Sequence, residues 1–225
     1  EILVRAELPG NNCGGCGFAG CDALAKAIAL GQAPVGACPV GGAPVAEKIG
    51  AIMGVSAEAG EKKVAFVKWK GTCDKTRVQY NYTGIADCRK VSVVPGAGEK
   101  SCAYGCMGYG SCVKACQFDA IHIVDGVAVV DKEKCVACGK CTEACPLGLI
   151  ELVPYKAEHL VQCNSHDKGK DVKAKCDNGC IGCSLCTKQC EFDAIHMDNN
   201  LAVIDYEKCT NCGKCAAKCP SKIIK

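Results

Sequence analysis

Residues 180–190 have the sequence CIGCSLCTKQC, and residues 209–220 have the sequence CTNCGKCAAKCP. In each stretch three cysteines follow one another at intervals of three residues, and a fourth cysteine comes four residues later. Disulfide scaffolds of secreted proteins space their cysteines irregularly, whereas this close and regular spacing brings several thiolates to one point. The two stretches therefore predict metal centres in a reducing compartment.

The segment that contains these cysteines occurs twice in the chain. Residues 102–151 align without a gap on residues 176–225, 74 positions later, and 25 of the 50 aligned residues are identical. Both copies contain FDAIH, followed by two short apolar stretches around a turn, Asp125-Gly126 in one copy and Asn199-Asn200 in the other. We predict that each copy folds as strand, helix, β-hairpin, helix and strand, and that the proline after its last cysteine ends the second helix.

Each copy resembles the bacterial two-cluster ferredoxins, in which three thiolates of a C-x-x-C-x-x-C-x-x-x-C-P run hold one four-iron cluster and the fourth holds the other. The resemblance implies two ligand sets in the second copy: Cys180, Cys183, Cys186 and Cys219, and Cys209, Cys212, Cys215 and Cys190. Gln117 and Glu191 stand where that family usually has proline, a departure that concerns a turn and removes no ligand.

The first copy has one complete ligand set and one incomplete set. The complete set is Cys116, Cys135, Cys138 and Cys141. The other retains Cys106, Cys112 and Cys145, but Tyr109 aligns with Cys183 and removes the middle thiol. Because Cys102 is the nearest spare thiol, we predict it as the fourth ligand. A three-iron cluster is the alternative.

Residues 13–21, CGGCGFAGC, contain a G-x-G-x-x-G pattern that occurs in dinucleotide-binding turns. That pattern requires a preceding strand, and the preceding residues AELPGNN do not form one. The thiols instead predict a four-iron cluster on Cys13, Cys16, Cys21 and Cys38, with a helix over DALAKAIAL between the third and fourth ligands. The glycines would let backbone N–H groups approach the cluster.

Four further thiols have no place in these sets: Cys73, Cys88, Cys163 and Cys176. They fit inert buried cysteines, a zinc site, a redox-active pair or a sixth cluster. The prediction for the whole chain is therefore five [4Fe-4S] clusters, with a sixth left open. Zinc throughout is disfavoured because zinc knuckles do not place three thiols at i, i+3 and i+6 with a remote fourth before proline.

Small modules account for the composition better than one large core does. The chain has 225 residues, of which 24 are cysteine and only 5% are aromatic. We predict an α+β fold with a cluster domain over residues 1–60, a connecting segment over 61–97, a ferredoxin module over 98–156, a connector over 157–175 and a second module over 176–225. The stretch 68–84, which mixes Trp69 with charged residues, is interpreted as an exposed hairpin.

The sequence favours electron transfer over catalysis or nucleic-acid binding. The formal charge is +3, but five clusters of about −2 each would turn it into about −7, so no nucleic-acid partner is predicted. We find no catalytic triad, carboxylate pair, or flavin or nicotinamide fingerprint. The chain is therefore predicted to carry single electrons and to have no complete active site of its own.

A more specific resemblance covers nearly the whole chain. The segments ELPGNNCGGCGFAGCDALAKAI, YNYTGIADC and SCAYGCMGYGSCVKAC, together with the tandem modules, are similar to B subunits of the Rnf complexes, the ion-translocating ferredoxin:NAD oxidoreductases of bacterial membranes. The resemblance implies that reduced ferredoxin donates electrons and that other subunits of a membrane-bound complex receive them, at the cytoplasmic face of the cell membrane. It also implies membrane association through a helix that is absent from this chain.

Two other functions fit the sequence less well. A polyferredoxin-like subunit of a soluble 2-oxoacid oxidoreductase or hydrogenase would need the ferredoxin modules but not the N-terminal C-x-x-C-x(4)-C-x(16)-C domain. A store of clusters or metal would need no reversible low-potential electron transfer. A reductive titration separates the store from the electron carrier.

Overall fold

The computed structural model describes residues 1–57 and 60–225. It confirms the predicted α+β class: an N-terminal helical unit is followed by two small modules that each combine short helices with antiparallel strand pairs. Three buried clusters of apolar side chains and thiols form the core in place of one large interior.

The N-terminal unit packs helices α1 (Ile2–Glu7), α2 (Cys21–Ala29) and α3 (Gly42–Met53) against one another. Helix α2 is the helix predicted between the third and fourth thiols. Its buried face includes Leu24 and Ile28, which lie in one cluster with residues of the other two helices and with the thiols of Cys21 and Cys38. The packing of the helices therefore positions the cysteine loop.

The first module contains β1 (Lys63–Val67), α4 (Cys88–Val91), a 3₁₀ turn (Pro95–Ala97), α5 (Ser111–Ala115), β2 (Ile121–Val124), β3 (Val127–Val130), α6 (Lys140–Ala144) and β4 (Ile150–Pro154). Strand β1 pairs antiparallel with β4, so that Val67 lies opposite Ile150. The module's opening strand thus comes from the segment predicted as a connector. We call residues 68–101 the first insertion, because they separate this strand from the cysteine run.

The second module repeats this arrangement with α7 (Gly169–Lys175), α8 (Leu185–Gln189), β5 (Ile195–Asp198), β6 (Leu201–Ile204) and α9 (Lys214–Lys218). A bridge joins Val161 to Ile224, and backbone hydrogen bonds of 2.6 and 3.1 Å join Leu160 and Lys225 in both directions. Residues 160–162 therefore take the place of β1. Residues 163–175, which we call the second insertion, separate them from the repeated segment that begins at Cys176.

The hairpin turns predicted in both copies are confirmed. Asp125 and Gly126 have φ angles of 48° and 71°, and Asn199 and Asn200 have φ angles of 44° and 69°. Two successive left-handed residues form the tight turn whose twist matches that of antiparallel strands. The two copies therefore share the same backbone conformation at this turn, although the turn residues differ.

The interpretation of residues 68–84 as an exposed hairpin is wrong. Trp69 is buried, and its indole N–H donates to the Gly71 carbonyl at 2.9 Å. Further along, Thr76 forms a bridge with Cys176, and Arg77 pairs with Asp177 at 2.7 Å. This stretch joins the two modules because its backbone pairs with the insertion of the second.

Candidate iron–sulfur sites

Three predicted ligand sets each line a cavity of their own. These sets are Cys116, Cys135, Cys138 and Cys141; Cys180, Cys183, Cys186 and Cys219; and Cys190, Cys209, Cys212 and Cys215. The three cavities are alike in size, at about 320 to 340 Å³, as expected if each holds the same kind of group. All 24 cysteines are free thiols in this structure.

The loops that carry the thiols turn through left-handed positions at equivalent places in the two copies. Ala137 has a φ angle of 54°, and Asn211, its counterpart in the second copy, has a φ angle of 57°. A non-glycine residue adopts this conformation at a cost of roughly 1–2 kcal/mol, so its recurrence indicates that the loop shape is required. Alternation between right- and left-handed residues turns N–H groups toward one side, which creates a concave site for an anion.

Backbone N–H groups donate to several of the cysteine sulfurs. Ala120 donates to Cys116 Sγ at 3.4 Å, and the equivalent Ala194 donates to Cys190 Sγ at 3.3 Å. Such hydrogen bonds stabilise thiolate charge and raise the reduction potential of a bound cluster. Both copies therefore provide the same electrostatic environment to the thiol that would cross between their two clusters.

The fourth thiol at the cavity of the incomplete set is that of Cys88 and not that of Cys102. A cavity of about 390 Å³ is lined by Cys88, Cys106, Cys112 and Cys145, and Cys102 lies elsewhere. Helix α4 begins at Cys88, and the Cys88 N–H donates to Ser111 Oγ at 3.0 Å, which holds the start of α4 against α5. Proximity in sequence favoured Cys102, whereas the first insertion folds back and brings the thiol of the more distant Cys88 to this cavity.

Burial favours the protonated thiol over the thiolate at several cysteines that line the cavities. Desolvation, followed by the nearness of Cys106, Cys88 and Cys145, raises the pKa of Cys112 to about 12. Desolvation is also the main cause that raises the pKa of Cys186 to about 11. Four thiolates in one buried cavity repel each other strongly, so the deprotonated set requires bound cations such as the iron of a cluster.

Cys102 lines a further cavity with Cys163 and Cys176. Desolvation raises the pKa of Cys102 to about 11; a backbone N–H at Tyr104 opposes this shift, and the thiols of Cys163 and Cys176 add to it. Cys163 Sγ accepts a hydrogen bond of 3.3 Å from the Cys180 N–H, so this cavity adjoins a ligand of the second module. Cys102 and Cys176 are equivalent residues of the repeat, and they converge on one cavity between the modules.

Cys73, the remaining thiol, is exposed and lies beside the hairpin turn of the first module. Its N–H donates to the Asp125 carbonyl at 3.1 Å, and a Cβ on Gly126 would approach its sulfur to 2.5 Å. Three of the four cysteines left over by the sequence prediction thus line cavities with other thiols. Cys73 approaches the neighbouring turn.

The thiols of the N-terminal unit lie around the start of α2. Burial raises the pKa of Cys38, N–H groups of Gly41 and Val40 oppose this shift, and the nearby Cys21 and Cys16 add to it. The Gly41 N–H donates to Cys38 Sγ at 3.4 Å.

The loop that begins at Cys13 packs on the first module. A Cβ on Gly15 would lie 2.7 Å from the Cys138 carbonyl oxygen, so the two cysteine loops are in direct backbone contact. The helix α1 precedes this loop where a dinucleotide-binding turn would have a strand, and the structure therefore gives no support to that alternative.

The donor arrangement fits iron–sulfur clusters better than single metal ions. No group of three or more His, Cys, Asp or Glu side chains in residues 1–57 and 60–225 is arranged to hold one ion. A zinc ion needs its thiolates within about 2.3 Å of one point, whereas a four-iron cluster carries its ligands on separate iron atoms and keeps them further apart. Four cysteines line each of four cavities, which is the number of thiolates that a four-iron cluster needs.

Two buried side-chain atoms, His159 Nδ1 and Gln162 Oε1, lack a hydrogen-bond partner among the described residues. His159 lines the cavity of Cys209, and Gln162 lines that of Cys163. The Gln162 oxygen is an acceptor, so an iron–sulfur cluster, which offers no N–H or O–H donor, would not satisfy it.

We find no helix in the described ranges that combines the length and the apolar character needed to cross a bilayer.

His122 and His196, the equivalent histidines of the two FDAIH segments, are exposed on their hairpins. Neither lines any of the cysteine cavities described above.

Comparisons with known proteins agree with these sites. Family models match residues 8–40 as a "putative Fe-S cluster" domain, residues 128–151 as a "4Fe-4S binding domain" and residues 179–223 as a "4Fe-4S dicluster domain". The matched ranges cover the N-terminal unit, the second half of the first module and the second module. Iron–sulfur and four-iron domains are therefore present at both ends of the chain.

Three relatives match the chain nearly from end to end. The B subunit of the Na(+)-translocating ferredoxin:NAD(+) oxidoreductase complex of Acetobacterium woodii is 51% identical over 99% of this chain and 67% of its own length. The B subunit of the ion-translocating oxidoreductase complex of Methanosarcina acetivorans is 49% identical over 98% and 84%, respectively. The B subunit of the proton-translocating ferredoxin:NAD(+) oxidoreductase complex of Clostridium ljungdahlii is 43% identical over 99% and 80%. The chain therefore belongs to the B-subunit family of the ion-translocating oxidoreductase (Rnf) complexes, and it is an electron-transfer protein with four-iron ferredoxin domains.

Proposed function

We propose that this chain takes single electrons from reduced ferredoxin and passes them to membrane-embedded partner subunits at the cytoplasmic face of the membrane. Its B-subunit relatives from Acetobacterium woodii and Clostridium ljungdahlii are named for ferredoxin:NAD(+) oxidoreductase complexes, which supports ferredoxin as the donor. The carrying observation is the set of cavities, each lined by three or four thiols. Iron–sulfur clusters supply one-electron transfer when bound, and hydride transfer to NAD then belongs to another subunit.

We further propose six clusters. Five are held by the predicted sets, with Cys88 in place of Cys102 in the incomplete one. The sixth is held by Cys102, Cys163 and Cys176, with Cys73 as the fourth ligand. Cys73 belongs to the turn between Gly71, which lines that cavity, and Thr76, which forms the bridge to Cys176. Cys73 is thus the remaining thiol carried by a segment that lines this cavity.

Contacts between ligand-bearing segments form an unbroken series across the protein. The loop around Gly15 touches Cys138, and α5 carries Cys112 for one set and ends at Cys116, which serves the next. Cys102 lies four residues before Cys106 and lines the cavity between the modules. The hydrogen bond from the Cys180 N–H to Cys163 Sγ continues the series into the second module. Short contacts of this kind suit successive single-electron steps between bound clusters.

Purification of the chain under anaerobic conditions tests the proposal. We expect about 24 iron atoms per chain, against about 20 if the cavity of Cys163 binds no cluster. Reduced low-potential ferredoxin should reduce the protein, and the reduced protein should not reduce NAD unless a flavoprotein is added. Stoichiometric zinc, or direct reduction of NAD by the isolated chain, would refute the proposal.

A further inference from the structure

Lys100 is a buried charged side chain that has no carboxylate partner in the described part of the chain. It is 7% exposed, and the other buried polar residues, Thr76 and Ser165, are uncharged. Lys100 takes part in none of the ion pairs formed by residues 1–57 and 60–225. Its Nζ donates to the Cys106 carbonyl at 2.8 Å and to the Gly126 carbonyl at 2.7 Å.

An ammonium group that leaves water is costly unless a negative charge compensates for it. Two carbonyl acceptors satisfy two of its three N–H donors but supply no net charge. A compensating anion is therefore expected close to Nζ, and the protein side chains described here do not provide one.

Lys100 is connected to two of the cysteine cavities through neighbouring residues. Cys106, whose carbonyl accepts from Lys100, lines the cavity that contains Cys88, Cys112 and Cys145. Two residues further along the chain from Lys100, Cys102 lines the cavity between the modules. A Cβ on Gly126 would lie 3.5 Å from Nζ and 2.5 Å from Cys73 Sγ, which places this last thiol beside the lysine as well. Each four-iron cluster with four thiolates carries about −2 when oxidised, so both cavities would hold the missing anion.

We propose that Lys100 is a fixed counter-charge shared by two clusters, one on Cys88, Cys106, Cys112 and Cys145 and the other on Cys102, Cys163 and Cys176. This inference rests on the proposed cluster assignment and extends it to a residue that binds no iron. Reduction adds one negative charge to a cluster, so a nearby buried cation stabilises the reduced form more than the oxidised form. Lys100 therefore raises the reduction potentials of both clusters.

Redox titration of the full-length protein with its clusters, followed by electron paramagnetic resonance, tests this role. In K100M the signals of one or two clusters should move to more negative potentials, and those of the other clusters should overlay on the wild type. K100R retains the charge and should titrate close to the wild type. K114M is the matched control, because Lys114 is an exposed residue of α5 in the same module, where water screens its charge.

Iron and sulfide analysis makes every outcome decisive. Neutral variants K100M and K100Q that keep all their iron and titrate like the wild type would overturn the proposal. Loss of a cluster from both neutral variants, with full occupancy in K100R, would support it because charge alone separates them. Loss of a cluster from K100R as well would overturn it, since the site would then depend on the shape of lysine. A wild-type protein without clusters would instead refute the proposed function.

Discussion

Replacement of Cys88 by serine tests which thiol completes the set of Cys106, Cys112 and Cys145. Serine has nearly the same size as cysteine, and the hydrogen bond from the residue 88 N–H to Ser111 Oγ does not involve the side chain. The Asp87 side chain still accepts from the Arg89 N–H at 2.9 Å and caps α4. The local fold should therefore persist, so that any loss of iron reports on ligation.

The expected magnitude follows from the number of thiols at the cavity. Three thiols, those of Cys106, Cys112 and Cys145, remain in C88S. The variant should lose about one iron atom per chain if the cluster is retained in a three-iron form, and about four if the cluster is lost entirely. A three-iron cluster gives a resonance in the oxidised protein that a four-iron cluster lacks, so the two cases are distinguishable.

Double variants show which cavity has been affected. C112A leaves three thiols at this cavity, as C88S does, and C88S/C112A should lose no more than the roughly four iron atoms of that one cluster, because both residues serve it. C102S/C112A should lose about the sum of the two single losses, since Cys102 lines a different cavity. The opposite pattern would refute the assignment of Cys88. In that case the iron lost by C88S/C112A would equal the sum of the two single losses, the iron lost by C102S/C112A would fall short of that sum, and the sequence-based choice of Cys102 would be restored.

Two glycine substitutions test the backbone contacts. G15A places a Cβ 2.7 Å from the Cys138 carbonyl oxygen. This clash should weaken the packing of the N-terminal loop on the first module by about 1–3 kcal/mol. Rapid-freeze kinetics should then show slower electron exchange between the N-terminal cluster and the first module, while the iron content stays unchanged. An unaltered rate would contradict the proposed contact. G126A imposes left-handed strain of about 1–2 kcal/mol and also presses on Cys73 Sγ, whereas N200A, at the equivalent left-handed position, removes the hydrogen bond from Asn200 Nδ2 to the His166 carbonyl without pressing on a thiol. G126A should lower both the thermal midpoint and the iron content, and equal iron content in both variants would argue against Cys73 as a ligand.

Much of the fold could be predicted because the repeat is local in sequence. Thiol spacing, the FDAIH segment and the two turns all act within about 50 residues, and the hairpins and helices appear where the pattern places them. The opening strand of each copy was predicted but was placed within the copy, because the strands precede long insertions. Strand β1 pairs with β4 from more than 80 residues away, and such pairing is decided by tertiary packing rather than by neighbouring residues. The apolar run KVAFV at 63–67 was the available signal.

The position of Cys88 could not be predicted from the sequence for a related reason. Proximity in sequence favoured the thiol four residues from Cys106, whereas Cys88 reaches the cavity only because the first insertion folds back on α5. One signal in the sequence pointed the other way. Cys102 has an equivalent, Cys176, in a copy whose ligand sets are already complete, and a residue kept in both copies is expected to serve the same purpose in each.

The asymmetry between the copies has a common structural origin. Tyr109, which replaces the thiol found at Cys183, stacks edge-on against Tyr82 of the first insertion with ring centroids 5.8 Å apart. The residue that removes one thiol thus helps to hold the segment that supplies another, Cys88. Cys88 of this insertion lines the cavity of Cys106, Cys112 and Cys145, whereas Cys102 lines the other cavity together with its repeat equivalent Cys176. If the proposed ligand sets are right, the tyrosine at 109 and the first insertion together explain both the unusual ligand spacing in the first copy and the additional thiol-lined site between the two modules.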